Sequence, residues 1–213
     1  MTQVKGKRAG KARQTRRKIL EAAQELFLER GYGATTLQDI ADRAGYAVQT
    51  IYFAFGNKRT VLKELGDYTI AGDDEPVPTM ERAWFRAAVE AETAGELLRH
   101  TVRGARSTLE RVAPLAEVMR TAATIEPEIS DLWNHQGVDP RLTVYATAAR
   151  ALVAKPDARV GLSAEQAADV LFALLSPELY LLLVRDRSWS PERWEEWAQE
   201  LLRAQLLADP ASR

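Results

Sequence analysis

Residues 36–56 constrain this chain more than any other stretch. Thr36 with Asp39 three residues later has the form of a capping box, with Asp in place of the usual Glu or Gln. A short helix is therefore expected over Leu37 to Ala44. Gly45 then interrupts the pattern, and a second short helix follows over about Val48 to Phe55. Gly45 tolerates the left-handed backbone that a sharp turn demands. Ala41 is small where the second helix must come close, and Ile40, Ala44 and Ile51 fit a small shared core. Two short helices at a steep angle about a tight glycine turn make a helix-turn-helix.

The flanks extend the pattern. Ile19, Ala23, Leu26, Phe27 and Arg30 fall on one face of a helix expected from about Thr15 to Arg30, with Gly31 at its C-terminal cap. Asn57 caps a fourth helix through Lys58, Val61, Leu62 and Leu65 to about Ile70. The acidic, proline-containing stretch from Gly72 to Pro78 reads as a boundary. Beyond it, helices are expected from Thr79 to Ala91, from Thr93 to Arg111 and from Pro114 to Ala123. Further helices are expected between Pro127 and Pro140, from Arg141 to Ala154, from a Ser163/Gln166 capping box to about Arg185, and from Ser190-Pro191 to Leu207. Ser176-Pro177 should kink the penultimate helix or start it afresh. No stretch alternates apolar and polar residues, and alanine occurs 34 times, so an all-α fold is expected. The expected division is a flexible basic arm over 1–14, a helix-turn-helix domain over 15–71 and a helical domain over 79–213.

Charge divides at the same place. The formal net charge of the 213 residues is −1. Residues 1–60 hold 12 Lys/Arg against 5 Asp/Glu, and residues 61–213 hold 17 against 25. The first 18 residues carry eight basic side chains and no acidic one: Lys5, Lys7, Arg8, Lys11, Arg13, Arg16, Arg17 and Lys18. Such a block suits a phosphate backbone, and it equally suits a solvated tail.

Several function classes are disfavoured. With no cysteine there is no thiolate zinc site, thiol nucleophile or disulfide scaffold. His100 and His135 stand far apart without a metal-ligand partner at helical spacing, and no glycine-rich phosphate loop is present. His135 reads as a loop or surface residue. No cofactor or metal is expected. The uncharged apolar run Leu179 to Val184 is too short to span a bilayer, so no membrane is expected and the location is expected to be cytoplasmic.

The runs Thr35-Thr36-Leu37-Gln38-Asp39-Ile40-Ala41, Ala44-Gly45 and Thr50-Ile51-Tyr52-Phe53-Ala54-Phe55-Gly56-Asn57-Lys58 resemble the N-terminal domain of tetracycline-repressor (TetR) family regulators. The likeness is dense over about residues 15–66. Residues 79–213 resemble the family in architecture, and the runs at Ser176-Pro177-Glu178 and Trp189 to Arg193 look like the tail helices of actinobacterial-type members. The resemblance implies a dimeric transcription regulator, by family default a repressor, on a palindromic double-stranded DNA operator, released by a small effector. Thr36, Tyr52 and Lys58 are then expected at phosphates, with the basic Arg16 and Arg17 beside them. Ala47, Val48, Gln49 and Thr50 are expected at base edges. Gln49 pairs well with adenine, and the methyls of Val48 or Thr50 with that of thymine. Phe55 reads as core, and Phe53 fits either setting. Two positions depart from the family pattern. Ala47 replaces the usual capping serine, at a cost of ~1 kcal/mol, and Tyr46 stands where a small apolar residue is usual and is expected to reach the DNA backbone in compensation.

One short recognition helix reads few bases, and two-fold dimers overcome this. The expected interface is the last two helices, through Leu171, Leu174, Leu175, Leu182, Trp194, Trp197 and Leu201, packed as a four-helix bundle. Trp84, Phe85, His100, Met119, Trp133 and Tyr145 are the expected effector-lining residues. An enzyme, a sequence-indifferent architectural DNA binder and a pure interaction module are the rival classes.

Overall fold

The computed structural model describes residues 2–72, 77–133 and 139–208, with the backbone alone described for residues 2–9, 132 and 133. His135 and the acidic centre of the expected boundary, residues 73–76, lie outside the described residues, as does the Trp133 side chain. The elements are α1 (Thr2–Arg30), α2 (Leu37–Ala44), α3 (Val48–Phe55), α4 (Lys58–Ala71), α5 (Ala83–Glu90), α6 (Ala94–Ile125), α7 (Ile129–Trp133), α8 (Pro140–Val153), α9 (Ala164–Leu174), α10 (Pro177–Leu181) and α11 (Pro191–Leu206). Among the described residues there is no strand, and one isolated bridge joins Ala158 to Leu207.

The caps form where the sequence places them. Thr36 and Asp39 close a reciprocal box, as do Ser163 and Gln166. Ser176 and Ser190 each cap a helix that opens on proline. Ser176-Pro177 thus starts a new helix, and the expected run to Arg185 is divided into α9, α10 and a wider π-helical turn over Leu182–Asp186.

Three expectations are corrected. The first helix begins at Thr2 and not near Thr15, so residues of the supposed arm are helical, consistent with the helix propensity of Lys, Arg, Gln and Ala. The segment after Thr79 is a 3-10 turn over Thr79–Glu81 followed by a fresh start at Ala83, because Arg82 is extended. Pro114 does not end a helix but lies inside α6. Proline removes one backbone hydrogen bond from the ladder. Here Val112, Ala113 and Leu115 are buried on either side of it, and packing outweighs that loss.

The chain forms two compact units. The first comprises residues 1–69 and 115–133, so the stretch from Leu115 joins the N-terminal helices instead of the expected 79–213 domain. Its core gathers Ile19, Leu26 and Phe27 from α1, Ile40 from α2, Ile51 and Phe55 from α3, Leu62 and Leu65 from α4, and Leu115 and Met119 from α6. The second comprises residues 70–114 and 134–213. Its core includes Phe85, Leu97, Leu98, Val102, Tyr145, Leu152, Leu171, Leu175, Tyr180, Trp194 and Leu202. Residues 164–186 are together long and apolar enough to cross a membrane. They are broken by the Ser176 cap, and Ala167, Leu171, Leu175, Tyr180 and Leu181 are buried in the second unit's core.

Asp157 ties the second unit together over a long sequence interval. Its carboxylate accepts hydrogen bonds from the Ala94 amide at 2.6 Å and the Gly95 amide at 3.0 Å, at the start of α6. Its own carbonyl accepts from the Ala208 amide at 3.0 Å. A carboxylate there satisfies two orphan donors and complements the helix dipole. Asp157→Ala is expected to cost about 1–2 kcal/mol, read as a lowered denaturant midpoint with an unchanged slope.

Candidate nucleic-acid interface

The interface is built from α2, α3 and the loops around them. Gly45 ends α2 with φ 73°, and its neighbour's amide, that of Tyr46, donates to the Ala41 carbonyl at 3.0 Å. This left-handed turn swings α3 away from α2. Val48, Ile51 and Phe55 fall on the inner side of α3, with Ile51 and Phe55 buried and Val48 partly so. Gln49, Tyr52 and Phe53 therefore point outward, and all three are exposed.

Arg16 fixes the far end of α3. Its guanidinium donates to the Ala54 carbonyl at 2.8 Å, pairs with Glu64 and lies 4.5 Å from the Phe55 ring centroid. Arg16, expected at DNA, thus has two of its guanidinium nitrogens engaged within its own unit and keeps part of its surface exposed. Arg17 is exposed and stands 3.5 Å from Glu21 in an i,i+4 pair.

Lys58, expected at a phosphate, is likewise turned toward its own unit. Its ammonium donates to the carbonyls of Tyr32 and Thr35, each at 2.9 Å, and sits 4.0 Å from the Tyr32 ring centroid. Burial holds its pKa below the usual lysine range. The helix-terminal position was legible, but the inward turn follows from carbonyls that the loop between α1 and α2 presents. Tyr32 in turn donates to Glu126 at 3.3 Å, and Arg59 lies 3.6 Å from the same carboxylate.

Thr36 is exposed, yet its hydroxyl donates to Asp39 at 2.7 Å and accepts from the Asp39 amide at 3.1 Å. Hydrogen bonds from the Thr36 hydroxyl and amide hold the Asp39 carboxyl below its usual range. The Thr36 hydroxyl is thus engaged in the cap at the helix start where a phosphate is expected. Ala47 is exposed and supplies no side-chain cap, as its identity requires. Tyr46, expected to reach the DNA backbone, is half-buried against the unit's core, and Thr50 is also half-buried. Tyr52 is 56% exposed. Phe53, which sequence reasoning left open, is 96% exposed. Its spacing four residues after Gln49 was the available signal.

The expected effector residues divide between the two cores, with Trp84, Phe85 and Tyr145 in or against the second unit's and Met119 in the first unit's. The Tyr145 hydroxyl donates to the Leu175 carbonyl at 3.3 Å, and burial pushes its pKa up. His100 is half-buried. Trp84 is half-buried, meets Phe85 edge-on at 5.6 Å, and lies so close over Gly104 that a Cβ there has no room. A cleft of about 420 Å³ lies within the first unit, between Leu28, Tyr32, Val118 and Ile125, and none of the expected effector residues lines it. Three expected dimer residues are corrected too: Leu171, Leu175 and Trp194 are 0% exposed within one chain, so they pack its own core. Leu182 is 50% exposed, and Leu174, Trp197 and Leu201 keep part of their surface.

Comparison with known proteins agrees with this geometry. Residues 19–65 match the family described as bacterial regulatory proteins, tetR family. The transcriptional regulator TtgR of Pseudomonas putida is 45% identical over 56 residues, which are 26% of this chain and 27% of TtgR. The match thus spans about a quarter of that relative's length. The regulator YdeS of Bacillus subtilis is 25% identical over 170 residues, covering 80% of this chain and 79% of YdeS. A solved transcriptional regulator from Saccharomonospora viridis, in complex with choline, superposes with a TM-score of 0.69 at 23% identity, over 92% of this chain and 99% of that one. This last likeness is one of fold.

Proposed function

Since the chain belongs to the tetR family of bacterial regulatory proteins, we propose that it acts as a homodimeric DNA-binding repressor that a small molecule releases from a palindromic operator. One observation carries the reading: a short helix whose outward face, Gln49, Tyr52 and Phe53, is exposed while its inner face and far end are locked into a core. A helix presented so rigidly fits the major groove, where base edges carry a distinct donor and acceptor code. Gln49 offers an amide for adenine. Tyr52 offers a hydroxyl for a phosphate, which positions the protein without reading sequence. The internal hydrogen bonds of Arg16 and Lys58 make these residues braces of the interface, beside the outward face of α3 that makes the base contacts. The segment after Ser176 leaves the surfaces of Leu182, in the π-helical turn, and of Trp197 and Leu201, in α11, for a second copy. Relatives named as transcription regulators, and not enzymes, support the same class.

Selection of bound sequences from a random duplex pool tests the proposal. The expected result is a site of two inverted half-sites. Tyr52→Ala is expected to weaken binding roughly tenfold per half-site without changing the selected sequence, because a hydrogen bond to a charged phosphate is lost. Retention of duplex without sequence enrichment would favour an architectural DNA binder, and full binding by Tyr52→Ala would remove tyrosine from the contact set.

A further inference from the structure

Resting on the reading of this chain as a sequence-specific DNA binder, we propose that Phe53 is a specificity-determining residue that recognises the 5-methyl group of a thymine. The Phe53 side chain is 96% exposed, although a buried phenylalanine is among the larger apolar contributions to a fold. Its immediate neighbours are anything but loose. The Ala54 carbonyl accepts from Arg16 at 2.8 Å, Phe55 is 5% exposed, and Ile51 is fully buried. The ring is therefore held in water by a fixed backbone. A scattered surface apolar residue is ordinary. This one lies on the same helical face as Gln49 and Tyr52, the two groups that address DNA.

The chemistry of the ring narrows what it meets. Phenylalanine has no hydroxyl and cannot bond a phosphate, so it adds nothing to the positioning that Tyr52 supplies. Among the groups exposed along the major groove, the thymine methyl is the apolar one. Gln49 and Phe53 are four residues apart, about 6 Å along the axis, and stacked base pairs rise about 3.4 Å. A thymine read by Phe53 falls within about two base pairs of an adenine read by Gln49.

Uracil substitution isolates this contact, because it removes the methyl and keeps the base pair. Each thymine of the selected duplex is replaced singly, and binding is measured for the wild-type chain and for Phe53→Ala. At one position near the base that relaxes in Gln49→Ala, wild type is expected to lose about fourfold in affinity, the value of one buried methyl. Phe53→Ala is expected to be indifferent there, and weaker than wild type on the thymine duplex. Its thermal midpoint should match wild type, since the ring touches little of the fold. Equal losses in both proteins at every thymine overturn the assignment to Phe53 and leave the regulator reading standing. Failure of the wild-type chain to select any sequence overturns both.

Discussion

Phe27→Ala is expected to destabilise the unit formed by residues 1–69 and 115–133 by about 3–5 kcal/mol. The ring is 0% exposed and packs 5.6 Å from Tyr32, in a core that also receives Ile40, Ile51, Leu65 and Met119. Truncation removes the ring's transfer free energy and leaves a void that four separate elements must close over. The consequence for DNA is indirect. Ile51 and Phe55 seat α3 on the same core, so its loss unsettles the outward face without touching Gln49 or Tyr52. Denaturation followed by circular dichroism should show an early transition, and hydrogen exchange should show lost protection in α2 and α3. Phe27→Leu, nearer in volume, is expected to cost under about 1.5 kcal/mol and to keep operator selection. Equal stability of the alanine variant and wild type would mean that this core does not support the recognition helix.

What the sequence made legible follows from how local each signal is. The Thr36/Asp39 and Ser163/Gln166 boxes and the Ser190-Pro191 start depend on side chains within one turn, and all are found where expected. Gly45 is legible because its turn needs a positive φ, which it adopts. The positions of Lys58 and Arg16 were readable but their directions were not, since those depend on carbonyls and carboxylates from distant segments. Pro114 misled because local propensity predicted an end where packing sustains a helix. The inclusion of Leu115 to Trp133 in the first unit is a tertiary fact with no local signature. Periodicity likewise shows which face of a helix is apolar, but not whether the cover comes from the same chain or another.

That ambiguity is sharpest at Trp194, where the second large effect is expected. The indole is 0% exposed and meets Tyr180 edge-on at 5.1 Å, within the second unit's core. Trp194→Ala is expected to cost about 3–5 kcal/mol, by the same combination of lost transfer free energy and residual cavity. Among the described residues its Nε1 has no hydrogen-bond partner. A buried unpaired donor carries a desolvation penalty of about 1–3 kcal/mol. Trp194→Phe removes that penalty along with some volume, so it is expected to retain most of the stability that alanine loses. Leu182, half-exposed after α10, supplies the contrast. Leu182→Glu is expected to leave the unfolding of the single chain nearly unchanged, within about 0.5 kcal/mol, while shifting the proposed homodimer to monomer at micromolar concentration. Sedimentation alongside denaturation at two protein concentrations separates the two. If Trp194→Ala shifted the association equilibrium at unaltered single-chain stability, the tryptophan would belong to the interface after all. If Leu182→Glu sedimented as a full dimer, the surface after Ser176 would not be the one through which two copies meet.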